Sequence, residues 1–167
     1  MNRFRAFVSS ALLALLLGSC GTSGGGCRGW FPGDRFLGNP SPNFTLPNLD
    51  GQLTELAKVA QEKPTLIVFW ATWCPTCNEE IPILNKWVDL YPQVQILAVD
   101  VQESAERVRA FAKKKKIRYT VLLDEEGEVS ERYGLVGIPA SVLLAKGGKI
   151  IYYGFSLPYN VEKLIQQ

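Results

Sequence analysis

Two cysteines separated by two residues, Cys74-Pro75-Thr76-Cys77, stand between an apolar run and an amphipathic stretch. Thr65 to Trp70 reads as a buried strand. Asn78 to Leu90 reads as a helix, with Ile81, Leu84, Trp87 and Val88 at helical spacing. A chain that passes from strand to helix through such a pair places its first cysteine at a helix N-terminus. Unpaired backbone N–H groups and the helix dipole favour a thiolate there. A thiolate is the species that attacks a disulfide, so the arrangement points to thiol–disulfide exchange. Pro82 falls inside the helix and predicts a kink.

The rest of the chain supplies partners for that strand and helix. Pro42 to Leu46 alternates, Asn48-Leu49-Asp50-Gly51 is a turn signal, and Gln52 to Thr54 can return antiparallel. These predict a short hairpin. Glu55 to Gln61 has room for one or two helical turns, and Val94 to Val101 reads as a second buried strand. Ser104 is placed to cap a helix whose apolar face is Ala105, Val108, Phe111 and Ala112. Tyr119 to Leu123 reads as a short strand and Glu128 to Tyr133 as a turn or two of helix. Ser141 to Leu144 and Lys149 to Tyr153 form strands joined at Gly147-Gly148, and Val161 to Ile165 begins a closing helix. The order β-α-β-α-β, β-hairpin, helix predicts an α/β fold with a mixed central sheet flanked by helices, plus an N-terminal β-hairpin. This is the thioredoxin-like arrangement, in which a CxxC reads as a redox motif.

Residues 1–19 read as a lipoprotein signal peptide, 20–38 as a flexible tether and 39–167 as the folded domain. Arg3 and Arg5 precede the apolar stretch Ala6 to Leu17. Leu17-Gly18-Ser19-Cys20 resembles a lipobox, so Cys20 is the expected lipidation site and the membrane a partner through that anchor. Gly21 to Gly29 is rich in glycine and serine, and Cys27 within it reads as an unpaired thiol.

Composition then excludes whole classes of chemistry. The histidine count is 0, which removes Cys–His and Ser–His nucleophile pairs and histidine metal sites. Asn78, not histidine, follows Cys77, so the pair is no haem-attachment motif. The formal charge of +2 equals the two signal arginines, which leaves the mature chain balanced and gives no footprint for nucleic acid. The run Lys113 to Lys116 closes a predicted helix, where cations suit the dipole. No metal site and no resident cofactor are expected.

The stretch WATWCPTC resembles the WAxWCxxC of thioredoxins. More widely, Pro42 to Gln167 resembles the membrane-tethered, extracytoplasmic thioredoxin-like proteins of the TlpA/ResA group. Four motifs carry that likeness in order: SPNFTLPNLDGQ, FWATWCPTCNEEIP, YGLVGIPASVLL and GGKIIYYG. The resemblance implies that Cys74 attacks and Cys77 resolves, forming a redox-active disulfide. It implies that Pro139 is a cis-proline facing that disulfide and that the Ile138 backbone pairs with an extended substrate. Trp73 and Pro75 fall beside the attacking sulfur on the substrate side, while Trp70 belongs to the core.

One departure matters. Val68 stands where cytoplasmic thioredoxin has a buried aspartate. The TlpA/ResA group often has a glutamate three residues after the second cysteine, which here is Glu80. Cys77 and Glu80 are i and i+3 and share a helix face. A carboxylate there can raise a thiol pKa and relay its proton.

The implied activity is an extracytoplasmic thiol–disulfide oxidoreductase. It would reduce disulfides of exported proteins, apocytochrome c among the candidates, and be reset by an external thiol donor such as a membrane carrier. Two rivals stand beside it. PNFTLPNLDG also resembles peroxiredoxins, but those place threonine where this chain has Ala71, three residues before Cys74. A copper-delivery module would favour CxxxC and a histidine, and this chain has neither.

Overall fold

The computed structural model describes residues 35–166. The expected signal peptide and the part of the expected tether up to residue 34, Cys20 and Cys27 included, lie outside the described residues. In chain order the elements are β1 (Thr45–Pro47), β2 (Leu53–Glu55), α1 (Leu56–Glu62), β3 (Thr65–Trp70), α2 (Pro75–Leu90), β4 (Gln95–Val101), α3 (Ala105–Lys115), β5 (Thr120–Asp124), α4 (Glu128–Arg132), β6 (Ala140–Leu144), β7 (Ile150–Gly154) and α5 (Val161–Ile165).

The central sheet has five strands in the order β5-β4-β3-β6-β7. β3 and β4 are parallel, as are β4 and β5, while β6 runs antiparallel to both β3 and β7. The mixed sheet expected from the element order is therefore present. β1 and β2 pair antiparallel as the turn signal predicts. Asn48 Oδ1 accepts from the Asp50 and Gln52 N–H groups, each at 2.9 Å, which fixes that turn. The hairpin forms its own two-stranded sheet and meets the main one through a bridge from Asn48 to Leu122.

All six residues of β3 are buried, because both faces of the strand are covered. Ile67 and Phe69 join Leu97, Val99, Val142 and Tyr133 in one apolar cluster. Leu66 and Val68 face the other way, with Ile96, Leu84 and Leu143. Trp70 continues that second face and packs with Cys74, Cys77, Ile81 and Ala98. The period-2 alternation thus delivers the end of β3 to the cysteine pair. Ordered contacts reach back to Phe36, in the stretch read as tether, which stacks on Tyr133 and Tyr153 at 6.3 and 5.8 Å.

Two local expectations change. α2 starts at Pro75, not Asn78, because proline fits the first helical position, where its missing N–H has no role. The helix then continues through Pro82 to Leu90. Ser104 occupies the cap position of α3, but its side chain makes no cap hydrogen bond. Glu125 Oε1 instead accepts from the Ala105 N–H at 3.1 Å.

Candidate active site

Cys74 is the N-cap of α2, in extended conformation, and Cys77 lies in the first turn. Their Cα atoms are 5.3 Å apart and the two are joined by a disulfide. Cys74 Sγ also accepts from the Cys77 N–H at 3.2 Å. Cys74 donates its own N–H to the Ala71 carbonyl at 3.2 Å, and its carbonyl accepts from Asn78 N at 3.1 Å. Strand end, turn and helix start are therefore one hydrogen-bonded unit. A sulfur at this position meets the unpaired N–H groups of the first turn, the environment that lowers a thiol pKa.

The neighbours differ in exposure. Cys74 and Cys77 are only 4% and 3% exposed, whereas Trp73 is 62% exposed. Pro75 is exposed at the first position of α2. Trp70 is buried, with its ring 5.9 Å from that of Phe111. The Ile138–Pro139 peptide bond is cis. Pro139 is buried, and Ile138 packs against the cluster that contains both cysteines.

Trp73 and Ile138 open onto a groove of about 580 Å³ that also involves Leu135, Gln102, Glu126 and Glu131. Gly127 forms part of its wall at φ +75°, and a Cβ there would come within 2.8 Å of Gln102 Nε2. The groove combines apolar surface with carboxylates and takes in Trp73, the residue before Cys74.

Glu80 is buried on α2, with 8% of its surface exposed, while Glu79 is exposed. Burial pushes the Glu80 carboxyl up to about 7, against a lowering hydrogen bond from the Leu157 backbone. Its Oε2 has no hydrogen-bond partner. Leu157 belongs to the apolar cluster that contains Val68. Glu80 thus carries a carboxyl on the helix near the core cluster that Val68 occupies.

A second group of acids went unmarked in the sequence. Asp100, 0% exposed, is the register partner of Trp70 on β4. Glu103, also buried, accepts from both the N–H and the hydroxyl of Thr72, two residues before Cys74. The available signal was an aspartate inside the apolar run Val94 to Val101, where a charge is costly unless it is paired. Among the described residues no group of three or more His, Cys, Asp or Glu side chains is placed to hold a metal ion, and no helix is long and apolar enough to cross a membrane.

Residues 37–153 match the AhpC/TSA family. A thiol-disulfide oxidoreductase ResA of Bacillus thuringiensis subsp. konkukian is 34% identical over 155 residues, covering 90% of this chain and 88% of the relative. The sporulation thiol-disulfide oxidoreductase A of Bacillus subtilis is 28% identical over 134 residues, covering 75% and 80%. Among solved structures, a putative thiol:disulfide interchange protein DsbE from Chlorobium tepidum superposes with a TM-score of 0.69 at 27% identity, covering 78% of this chain and 93% of that one. The motif, the fold and these relatives agree, and the chain belongs to the AhpC/TSA family as a ResA-like thiol-disulfide oxidoreductase with a thioredoxin-like fold.

Proposed function

We propose that the protein works outside the cytoplasm as a reductase of disulfides in exported proteins, held to a membrane by lipid on Cys20. The observation that carries the catalytic part is the Cys74–Cys77 disulfide at the start of α2, beside Ile138 and exposed Trp73. Reduced Cys74 attacks a substrate disulfide as thiolate. A Cys74–substrate disulfide forms, and the first substrate sulfur leaves as a thiolate and takes a proton. Cys77 loses its proton and attacks the Cys74 sulfur, which releases the second substrate thiolate and closes the Cys74–Cys77 disulfide. Two electrons have passed to the substrate, and an external dithiol returns them.

The neighbours divide the remaining work. The Ile138 backbone pairs with the substrate strand, while Trp73, Pro75 and Pro139 shape the surface that receives it. Glu80 takes up and returns the Cys77 proton. Direction toward reduction is supported by Pro75-Thr76, which puts no histidine between the cysteines to stabilise a thiolate further. Apocytochrome c is the favoured substrate, on the resemblance to the TlpA/ResA group. The test is reduction of an oxidised CxxC-containing peptide by the dithiol form of this protein. Loss of that activity in Cys74→Ser supports the reading. Peroxide consumption at a higher kcat/KM than peptide reduction would replace it with a thiol peroxidase.

A further inference from the structure

Thr72 is held at every polar atom it has. Its N–H and hydroxyl donate to Glu103, the hydroxyl at 2.7 Å from Oε1. Its carbonyl accepts from Asn78 Nδ2 at 3.2 Å, and its hydroxyl also accepts from Arg107 Nε at 3.1 Å. Arg107 Nε lies 2.7 Å from Glu103 Oε1 as well. One buried carboxylate therefore ties the turn before Cys74 to the start of α3.

Behind Glu103 stands Asp100. Trp70 and Asp100 are register partners in parallel strands, so their side chains leave the sheet on the same face, the one that packs against both cysteines. Neither Asp100 oxygen has a donor, and neither does the Trp70 indole nitrogen have an acceptor. An ionised carboxylate in that position has no hydrogen-bond donor to offset its burial. A protonated Asp100 can donate to Glu103. Two carboxyl groups sharing a buried site do not both ionise readily. The charged groups facing Asp100 are Glu103 in the β4–α3 connection, Arg107 on α3 and Glu125 after β5. Burial first, and then the Glu103 charge, push the Asp100 carboxyl up to about 8, with Arg107 opposing.

We propose that Glu103 is a positioning residue for the exchange reaction and Asp100 its charge partner, so that the two acids together hold the Thr72 turn that presents Cys74 and make its reactivity depend on whether Asp100 is ionised. The inference rests on Cys74 being the attacking thiol. While Asp100 keeps its proton, it adds no charge behind the Thr72–Glu103 contact. As Asp100 loses its proton, a second negative charge appears behind the cysteine-bearing turn. That charge repels Glu103 and disfavours the Cys74 thiolate.

The test is the pH dependence of iodoacetamide labelling of the fully reduced protein, with the labelled cysteine identified by peptide mass spectrometry. The parent carries Glu80→Gln, which removes the other buried carboxyl that titrates near neutrality. The parent profile should then show an inflection beyond that of the thiol. Asp100→Asn should abolish that inflection and raise the alkaline labelling rate of Cys74 about twofold to threefold. Glu103→Gln should move the inflection to lower pH, which a merely structural glutamate would not do. Asp100→Asn keeps the shape and removes a buried charge, so it decides the matter if Glu103→Gln fails to fold. Superimposable Cys74 profiles for the parent and Asp100→Asn would overturn the inference. First labelling at Cys77 would instead overturn the assignment of the attacking thiol.

Discussion

Glu80 lies one helical turn beyond Cys77 on the buried side of α2, with the two side chains 8% and 3% exposed. Its neighbour Glu79 faces solvent. One residue of shift turns a side chain by about 100° on an ideal helix, enough to separate a buried carboxyl from a solvated one. This difference in placement supports the proposed proton relay through Glu80.

Glu80→Gln should lower at least one apparent thiol pKa, by about one unit, because it removes a group whose ionisation opposes a nearby thiolate. The change belongs to the cysteine pair, since coupled thiols share their titration. Glu79→Gln is the control and should leave the profile alone. Alkylation as a function of pH measures both. Identical profiles for the two variants would reduce Glu80 to a helix-start charge.

Stability should respond to pH through the same buried acids. Glu80 is raised from 4.5 to about 7, and Asp100 from 3.8 to about 8, mainly by burial in each case. A carboxyl with a raised folded pKa binds its proton more tightly in the native state. Its contribution to stability is therefore complete below the unfolded value and is lost as pH rises through the folded value. Across the interval from about 4 to about 8, both groups should make the protein less stable as pH rises. Asp100→Asn should match the parent in urea midpoint near the acid end and exceed it at the alkaline end. Equal losses in parent and variant over that interval would contradict this assignment.

The two tryptophans of the motif should separate cleanly. Trp70 is buried between the sheet and α2, so Trp70→Ala should cost about 3–5 kcal/mol of folding stability. Trp73 is largely exposed beside the groove, so Trp73→Ala should change stability by less than about 0.5 kcal/mol. Its effect should appear as a raised KM for a protein disulfide. Denaturant melts and steady-state kinetics on the same preparations separate the two roles.

How far the sequence reached follows from the range of each interaction. β3 was legible because both its faces are covered, which leaves a continuous apolar run. The helix after it was legible from spacing, but its first turn was not. Pro75 and Thr76 carry no apolar spacing signal, and Pro75 is helical because its missing N–H suits the first position. The Ser104 cap misled because Glu125, from the far side of β5, serves the Ala105 N–H instead. Glu80 was reachable through the resemblance to the TlpA/ResA group, and helical spacing then placed it on the face of Cys77. The Thr72–Glu103 contact joins residues 31 apart, and no local pattern announces such a pairing. Asp100 gave a cue, a charge in an apolar strand, whose meaning depends on which face of the sheet it occupies.

The N-terminal reading has its own test. Leu17-Gly18-Ser19-Cys20 predicts a mature chain that begins at Cys20 and carries acyl groups. Mass spectrometry of the native N-terminus should find a modified Cys20. A free N-terminus at any other residue would remove the lipid anchor from the account.

The central claim is that Cys74 attacks and Cys77 resolves, and trapping tests it most directly. Cys77→Ser is reduced and mixed with an oxidised CxxC peptide of the kind found in apocytochrome c, and the products are read by intact mass and peptide mapping. The account predicts a stable mixed disulfide on Cys74 that the wild-type protein resolves, and none with Cys74→Ser. A peptide held on Cys77 in Cys74→Ser, with none held on Cys74 in Cys77→Ser, would contradict it.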